Sequence, residues 1–336
     1  MDRELGMGPH EQMTRRTVKK VTYAAAAQGS FPAAAKDLEH QAGLQVSVAE
    51  CARAATEYGV KFDAMQRKRE AEWTAPVSGE SGPAEPEIQA KKLVVEADAT
   101  SVLTVAGEEH KMVYCATAFD TEDRLKKGPP HERPLLARRR YSGSGVDFED
   151  FEVRLKALAA RMGVVRRLAM AFIGDGAAPL WALAKRLFPW AVPIQDFWHV
   201  CEHLAQVAKD LFGNTERAKQ WAEKWKTALW ESRLDEILAD LEKEKKRRRG
   251  KTRDRIEAEI HYLENGRERM DYARFRREGW PVGSGAVEGT CKHLVKERYN
   301  VTGARWKRKN IPHVLALRLS IFNDEWEADW KQLDAA

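Results

Sequence analysis

The stretch RRLAMAFIGDGAAPLWALAKRLFPWAVPIQDFWHVCEH, residues 166–203, decides the fold of this chain. Residues 168–173 are apolar and stop at Gly-Asp-Gly, a pattern typical of a buried strand. Residues 178–188 have helical spacing, and residues 191–197 predict a second short strand. In open α/β sheets, ligands bind outside the carboxyl ends of the strands. Asp175, directly after the first of these strands, is therefore a candidate site residue.

Polar side chains also follow the second predicted strand. Asp196 ends that strand, and His199, Glu202 and His203 come next, on the first turns of a long predicted helix. Because charged side chains are rarely buried without a partner, carboxylates and histidines at adjacent strand ends favour a polar site over a core.

Length and composition limit the class of protein. With 336 residues, of which 43% are hydrophobic, the chain can hold one large domain or two to three small ones. No apolar run approaches about 18 residues, so we expect no membrane span. The opening residues lack the apolar region of an export signal. Four widely spaced cysteines form no CxxC pair, which favours reduced thiols and a cytoplasmic location.

Positive charge is concentrated in the C-terminal half of the sequence. The whole chain has a net charge of +6, whereas residues 243–255 alone carry +7 and residues 276–309 carry +6. Such a concentration predicts a polyanionic partner. For residues 243–255, a solvated helical face is the alternative.

Changes in residue pattern divide the chain into five parts. Residues 1–75 predict an N-terminal helical region, in which two helices around a glycine form either a helix-turn-helix or an ordinary helical hairpin. Residues 76–92, rich in proline and glycine, predict a linker. The remaining parts are the first section of an α/β core (93–203), an all-helical insertion (204–275) and the final section of the core (276–336).

The first core section predicts three strands, a helix, and then the strand–helix–strand unit of residues 168–197. We expect the first three strands to form an antiparallel meander and the later unit to pair in parallel through a right-handed crossover. The result is a mixed sheet with helices on both faces, in which the first and fourth strands can lie side by side. The predicted elements are strands at 93–100, 110–119 and 138–142 and a helix at 148–162.

Three carboxylates stand out in this arrangement. Asp98 and Asp175 lie near predicted strand ends, and Glu288 shares one face of a basic helix with Lys292 and Lys296. A helix docked across the first and fourth strands would bring Glu288 to the two aspartates. Oxygen ligands of this kind suit Mg²⁺ or Mn²⁺, and two such ions can support phosphodiester displacement. An ordinary surface ion pair between Glu288 and the lysines is the alternative.

At these residues the chain resembles the DDE transposases of bacterial insertion sequences, and within them the ISKra-type group. The resemblance covers residues 93 to 330, most of the chain. The motifs that carry it are GDGAAPLW (174–181), FPWAVPIQDFWHVCEHL (188–204), GWPVGSGAVEGTCKHLVKERYNVTGARW (279–306) and ALRLSIFNDEWEADW (316–330).

The resemblance implies an RNase H-like α/β fold, with a mixed β-sheet flanked by helices and a catalytic core interrupted by the helical insertion. It implies that Asp98, Asp175 and Glu288 form the catalytic triad and hold Mg²⁺ or Mn²⁺. The DFWH segment at 196–199 looks like the (C/D)xxH motif of related transposase groups. Asp196 and His199 are therefore expected to orient DNA, a metal-bound water or a flipped base.

The implied activity is that of a transposase. Water attacks a phosphodiester at the transposon end, and the freed 3′-hydroxyl attacks target DNA in a second in-line displacement. The expected partner is double-stranded DNA, at transposon ends and target, bound by a homodimer or larger assembly in the bacterial cytoplasm at the nucleoid.

Basic and aromatic residues of the C-terminal half are expected to contact this DNA. Lys292, Lys296 and Arg298 would hold phosphates. Arg305 and Trp306 would contact the strand or an unpaired base, with a core position as the alternative for Trp306. The helical insertion would add three further cations, Arg247, Arg248 and Arg249.

Two departures from the family pattern bear on this expectation. Ala99 follows Asp98 where the family has glycine, so the local turn is expected to differ. The family also has more N-terminal sequence, so we expect a truncated, domesticated or programmed form. That expectation concerns transposition more than the nuclease chemistry.

Two other functions compete with this interpretation. The order His199, Glu202, His203 matches the HxxEH pattern of zinc hydrolases, with two histidine ligands and a glutamate base. A hydrogen-bonded helical histidine is the simpler role for His203. The other competitor is a transposase-derived DNA-binding protein that has lost catalysis. In the zinc alternative, the third ligand would be Glu268 or Glu278.

Overall fold

The computed structural model of the chain describes residues 13–74, 88, 90–126, 133–164 and 169–335. Most of the predicted linker, residues 76–87 and 89, therefore lies outside the described residues. One five-stranded sheet forms the centre, with the order β3-β2-β1-β4-β5. Its strands are β1 (Lys92–Val102), β2 (Lys111–Lys126), β3 (Arg133–Ser144), β4 (Ala169–Gly174) and β5 (Val192–Gln195).

The pairing of these strands confirms the predicted order. β1 pairs antiparallel with β2, and β2 with β3. β4 pairs in parallel with β1 on one side and with β5 on the other. Parallel neighbours need a long crossover, which the helices before and after β4 provide. The first and fourth strands consequently lie side by side, as the sequence predicts.

The helices, like the strands, are numbered in chain order. Those before the sheet are α1 (Arg15–Ala27), α2 (Phe31–Ala42) and α3 (Val48–Thr74), and those of the crossovers are α4 (Phe148–Arg161) and α5 (Ala178–Leu187). The segment after β5 contains α6 (Phe197–Phe212), α7 (Glu216–Trp230), α8 (Leu234–Arg247), α9 (Gly250–Gly266) and α10 (Tyr272–Arg277). The last helices are α11 (Gly285–Thr290), α12 (Glu297–Tyr299), α13 (Ile311–Phe322) and α14 (Trp326–Ala335).

The two faces of the sheet have separate cores because strand side chains alternate. Leu93, Val95 and Ala97 pack with α4 and α5 on one face. Val94 points to the other face, where it packs with α6 and the helices that follow. Glu96 and Asp98 belong to this second face by the same alternation. The structure is thus a mixed α/β fold with helices on both faces of a mixed sheet.

The segment between β5 and α11 is helical, as predicted. Its core contains Trp225, which is fully buried. Trp221 and Trp230 are partly buried and pack against this core. These tryptophans are core residues, in agreement with the helical spacing that the sequence shows.

The N-terminal helices share a core with the last helices of the chain. Ser47 and Glu50 form a capping box at the start of α3, in which each side chain accepts from the backbone N–H of the other residue. Gly59 of α3 lies so close to α13 that a Cβ there would come within 2.6 Å of the His313 carbonyl oxygen. The rings of Tyr58 and Trp330 stack at 5.0 Å. α3 therefore packs directly against α13 and α14, while the helix-turn-helix alternative stays a prediction.

The helix that carries Glu288 is not one regular helix, contrary to the prediction. A π-helical turn, Cys291–Lys296, separates α11 from α12. Arg318 of α13 explains this turn, because its guanidinium binds the carbonyl oxygens of His293 and Leu294. The i, i+4 and i+8 spacing consequently does not place Glu288, Lys292 and Lys296 on one α-helical face.

Two global expectations can be compared with the described residues. None of the described helices is both long and apolar enough to cross a membrane. The four cysteines are free thiols, and Cys201 alone among them is partly exposed.

Candidate active site

Asp175 lies immediately after β4, beside the end of β5. Its carboxylate accepts a hydrogen bond from the backbone N–H of Ala177 at 3.0 Å. Gly176 between them has φ +111°, a conformation that residues with a Cβ rarely adopt. The neighbouring strand end is joined to this turn, because the Asp196 N–H donates to the Gly174 carbonyl oxygen at 2.9 Å. The carboxyl ends of β4 and β5 thus form one polar edge.

Asp98 reaches the same edge, although not as the sequence predicts. β1 continues to Val102, so Asp98 lies within the strand and not at its end. The parallel ladder between β1 and β4 ends at the pair Glu96 and Ile173. Continued by two residues, that register places Asp98 level with Asp175. Burial raises the pKa of Asp98, and the charge of Asp175 adds to the rise.

Glu288 lies on α11, which crosses the same two-stranded region. The backbone N–H of Val287 donates to the Glu96 carboxylate on β1 at 2.8 Å, which fixes α11 on the sheet. Desolvation raises the pKa of Glu288, and the charges of Asp196 and Asp98 contribute. Glu288 itself is exposed, and its carboxylate lies 3.1 Å from the Ser284 hydroxyl oxygen.

Asp196 is a structural anchor for this arrangement. It is only 1% exposed and caps α6 by accepting from the N–H groups of Trp198 and His199, at 2.6 and 3.2 Å. Its other oxygen accepts from the backbone N–H and the hydroxyl of Ser284. Because Ser284 directly precedes α11, Asp196 positions the start of the helix that carries Glu288.

Glu96 is a further carboxylate at this site, and it is not among the residues predicted from the sequence. It is 1% exposed and lies two residues before Asp98, on the same face of β1. The available signal was the alternation itself, since one charge stands in the apolar run LVVEADAT two positions from Asp98. Burial raises the pKa of the Glu96 carboxyl to about 8, with contributions from the charges of Asp196 and Glu288.

Replacing Glu96 by glutamine is expected to stabilise the chain at neutral and alkaline pH. The carboxyl ionises near pH 4.5 in the unfolded chain and near pH 8 in the folded chain. The contribution of the Glu96 carboxyl to the free energy of unfolding is therefore complete below about pH 4.5 and is lost as the pH rises to about 8. Since glutamine does not titrate, the free energy of unfolding of the variant should exceed that of the wild type by roughly 3–5 kcal/mol at pH ~8.5.

Urea unfolding of both proteins between pH values near 4.5 and 9, with a chelator present, measures this difference. Glutamine keeps an oxygen that can accept from the Val287 N–H, so the variant is expected to fold. A difference between the two proteins that does not change with pH would contradict the assignment.

His199 and His203 lie on one face of α6, with ring centroids 4.8 Å apart. The zinc alternative needs a third ligand beside them. In the described part of the chain, no group of three His, Cys, Asp or Glu side chains can hold a metal ion, and neither Glu268 nor Glu278 completes such a set. His203 instead faces the buried Glu259 carboxylate, with Nδ1 and Oε2 3.4 Å apart.

The three predicted metal ligands likewise do not form a group that can hold a metal ion within the described residues. Asp98, Asp175 and Glu288 fit Mg²⁺ or Mn²⁺ in kind, because both ions prefer carboxylate oxygens. The charge of Asp175 helps to raise the pKa of Asp98, and the charge of Asp98 helps to raise the pKa of Glu288, a repulsion that a bound cation would relieve. Their chemistry therefore suits a divalent cation, although their side chains are not grouped closely enough to bind one in the described structure.

Two of the predicted DNA contacts have buried side chains, and for Trp306 this is the core position given as the alternative. Arg298 is 2% exposed, and its guanidinium donates to the Ala25 carbonyl oxygen at 3.1 Å, at the end of α1. Trp306 is 8% exposed, and its indole N–H donates to the Tyr299 carbonyl oxygen at 3.2 Å. Arg298 lies over the Trp306 ring, 4.8 Å from its centroid. Both residues belong to the core around α1 and α12.

The other predicted DNA contacts remain on the surface. Lys292, Lys296 and Arg305 are exposed, and the charge of Lys296 is close enough to lower the pKa of Asp98 in part. In the helical segment, Arg247 and Arg248 pair with the buried Glu244 at 3.1 and 3.4 Å, whereas Arg249 is exposed at the start of α9. The charge of Lys296 thus acts on one of the predicted metal ligands, Asp98.

A scan against models of protein families found no match to this chain, and a search of curated proteins found none either.

Proposed function

We propose that the chain is a DDE-type DNA transposase of the ISKra type, with an RNase H-like core. It would cleave a phosphodiester at the ends of an insertion sequence and transfer the freed strand to target DNA. The observation that carries this proposal is the register of β1 and β4, which places Asp98 level with Asp175. α11, with Glu288, is bonded to β1 at Glu96 of the same strand pair.

Asp98, Asp175 and Glu288 are the residues that would hold Mg²⁺ or Mn²⁺. Such ions, when bound, activate the attacking oxygen and stabilise the leaving oxygen of an in-line displacement. Asp196 acts through Ser284, whose backbone N–H and hydroxyl both donate to it, and so keeps the start of α11, which carries Glu288, beside the strands. His199 is held by its backbone N–H on Asp196 at the start of α6.

Lys292 and Lys296 are the cations that would bind the phosphates next to the scissile bond. Both are exposed on the π-helical turn, and Lys296 is near Asp98. Arg305 and the exposed Arg249 would bind phosphates farther along the duplex. The proposed partner is double-stranded DNA at both ends of the element, held by a homodimer or larger assembly at the nucleoid.

A second candidate is a transposase-derived DNA-binding protein without catalysis. The observation that favours it is the absence of a compact three-carboxylate group in the described residues. Its surface cations would bind DNA in the same way, and only the chemistry would differ.

A cleavage assay on linear DNA that carries the sequences on both sides of the gene separates these functions. With Mg²⁺, the wild type is expected to cut and to leave 3′-hydroxyl ends, whereas a chelator or the Asp175→Asn substitution should prevent cutting. Equal DNA binding by both proteins, with cutting by neither, would establish the non-catalytic binding protein. Neither binding nor cutting by the wild type would reject both functions.

A further inference from the structure

The helical segment reaches the polar edge of the sheet just after α9. Gly266 at the end of α9 packs so closely on β5 that a Cβ there would lie 2.9 Å from the Gln195 side-chain oxygen. Arg269, in the short turn that follows, donates from Nε to the same oxygen at 3.3 Å. A Cβ at Gly176 would lie 3.1 Å from Nε2 of that amide. One side-chain amide therefore separates Arg269 from the residue that follows Asp175.

The guanidinium of Arg269 is held in place but keeps a free donor group. Its Cζ lies 4.7 Å from the ring centroid of Trp181 on α5, and its Nη2 donates to the Asn265 carbonyl oxygen at 2.9 Å. The residue is partly exposed, and its Nη1, which is not buried, makes no hydrogen bond within the described residues. A planar guanidinium that stacks on an aromatic ring with N–H groups to spare is well suited to bind phosphate.

The charge of Arg269 is not neutralised by an ion pair. In the described part of the chain, no carboxylate pairs with it, and desolvation lowers its pKa more than nearby Tyr262 and Glu268 raise it. Arg267, two residues earlier, shows the contrast, because its guanidinium pairs with Asp235 at 2.7 Å. A partly buried cation without a counter-charge is unfavourable, so an anion at its free edge would be stabilised.

The strand order places Arg269 and Lys296 on opposite sides of the site carboxylates. α11 lies over β1 and β2, where the hydroxyls of Thr290 and Thr117 are 2.5 Å apart, and the charge of Lys296 beyond it acts on Asp98. Arg269 instead contacts β5, at the other edge of the sheet. Because β1 and β4 lie between β2 and β5, a DNA strand that crosses their carboxylates would meet a cation on each side.

We propose that Arg269 binds a phosphate of the reacting DNA strand on the β5 side of the carboxylates, by donating from its free N–H edge to a non-bridging phosphate oxygen. This inference rests on the proposed function, because it takes the strand to cross Asp98 and Asp175. Phosphate oxygens accept strong, charge-assisted hydrogen bonds from guanidinium groups. The helical segment then holds the DNA next to the scissile bond.

Three variants test this role. Arg269→Gln removes the charge, and Arg269→Lys keeps it. Arg267→Gln is the matched control, since it removes a charge two residues away that Asp235 already neutralises. Affinity for the DNA of the cleavage assay is measured in Ca²⁺ at several salt concentrations, and thermal stability is measured without DNA. Single phosphates next to the mapped cut are then replaced by neutral methylphosphonates.

Arg269→Gln is expected to bind DNA roughly tenfold more weakly and to reduce the slope of log affinity against log salt concentration by about 1, because one phosphate contact is lost. Arg269→Lys and Arg267→Gln should keep the wild-type slope. One methylphosphonate next to the cut should weaken binding by the wild type and have no further effect on Arg269→Gln.

The inference is overturned if Arg269→Gln keeps the wild-type slope, if Arg269→Lys loses as much of it, or if no phosphate next to the cut responds in this way. In each of these cases a wild type that cuts still upholds the proposed function. If the wild type binds without cutting, the proposed function fails and the slopes alone decide this inference. A wild type that neither binds nor cuts overturns both proposals.

Discussion

Replacing Asp175 by asparagine is expected to lower the rate of DNA cleavage by at least roughly 10³-fold without weakening the fold. Asparagine keeps the shape of the side chain but removes the charge that a divalent cation requires. Within the described residues, the carboxylate accepts one hydrogen bond, from the Ala177 N–H, and the amide oxygen of asparagine can accept the same bond. The free energy of unfolding should therefore change by no more than about 0.5 kcal/mol. Rates at saturating DNA, together with urea unfolding, measure both effects.

Asp196→Asn provides the matched comparison at the neighbouring strand end. Asp196 accepts four hydrogen bonds, and two of them, from Ser284, share one oxygen that asparagine replaces with an NH₂ group. This variant should lose about 1–3 kcal/mol of stability. If Asp175→Asn cut DNA at the wild-type rate, Asp175 would have no part in the reaction.

Replacing Arg154 by alanine is expected to lower the free energy of unfolding by about 3–5 kcal/mol. The Arg154 side chain is 3% exposed, and its guanidinium bonds three carboxylates that belong to two helices. These partners are Asp63 at 2.7 Å, Glu70 at 3.2 Å and Asp150 at 2.8 Å. Alanine would leave three largely buried negative charges without their common partner. Chemical unfolding at neutral pH measures the loss.

Arg67→Ala is the control for this prediction, because Arg67 bonds two of the same carboxylates, Asp63 and Asp150. Its side chain is 41% exposed, so water screens its charge. We expect this variant to lose no more than about 1 kcal/mol. Equal losses in the two variants would show that burial does not determine the strength of these ion pairs.

The sequence predicts the position of β4 beside β1 and β5 because β4 is an apolar run with its own stop signal. Residues 168–173 end at glycine, and a helix must follow before β5 can pair in parallel. The position of Asp98 within β1 could not be predicted in this way. β1 extends to Val102 because β2 pairs with it as far as Lys111, whereas β4 stops at Gly174. Strand length here depends on the partner and not on the strand's own residues.

The mistaken site residues have a similar cause. Arg298 appears in the sequence beside two exposed lysines, and nothing local distinguishes it from them. It is buried because its guanidinium bonds a carbonyl oxygen near the end of α1, more than 250 residues earlier in the chain. The π-helical turn likewise depends on Arg318, which lies 24 residues after the carbonyl of Leu294 that it binds. Spacing rules describe regular helices and contain no information about such distant partners.

The shared core of the first and last helices has a consequence for synthesis. The ribosome makes α1, α2 and α3 first. The rings that cover Tyr58 and Phe62 are those of Trp330 and Trp326, which are made more than 260 residues later. At a translation rate of about 5–20 residues per second, these helices wait on the order of ten seconds or more for their partners. During that interval their apolar surfaces are open to chaperones and proteases. Chaperones and proteases therefore have access to this chain before its first helices pack against the last ones.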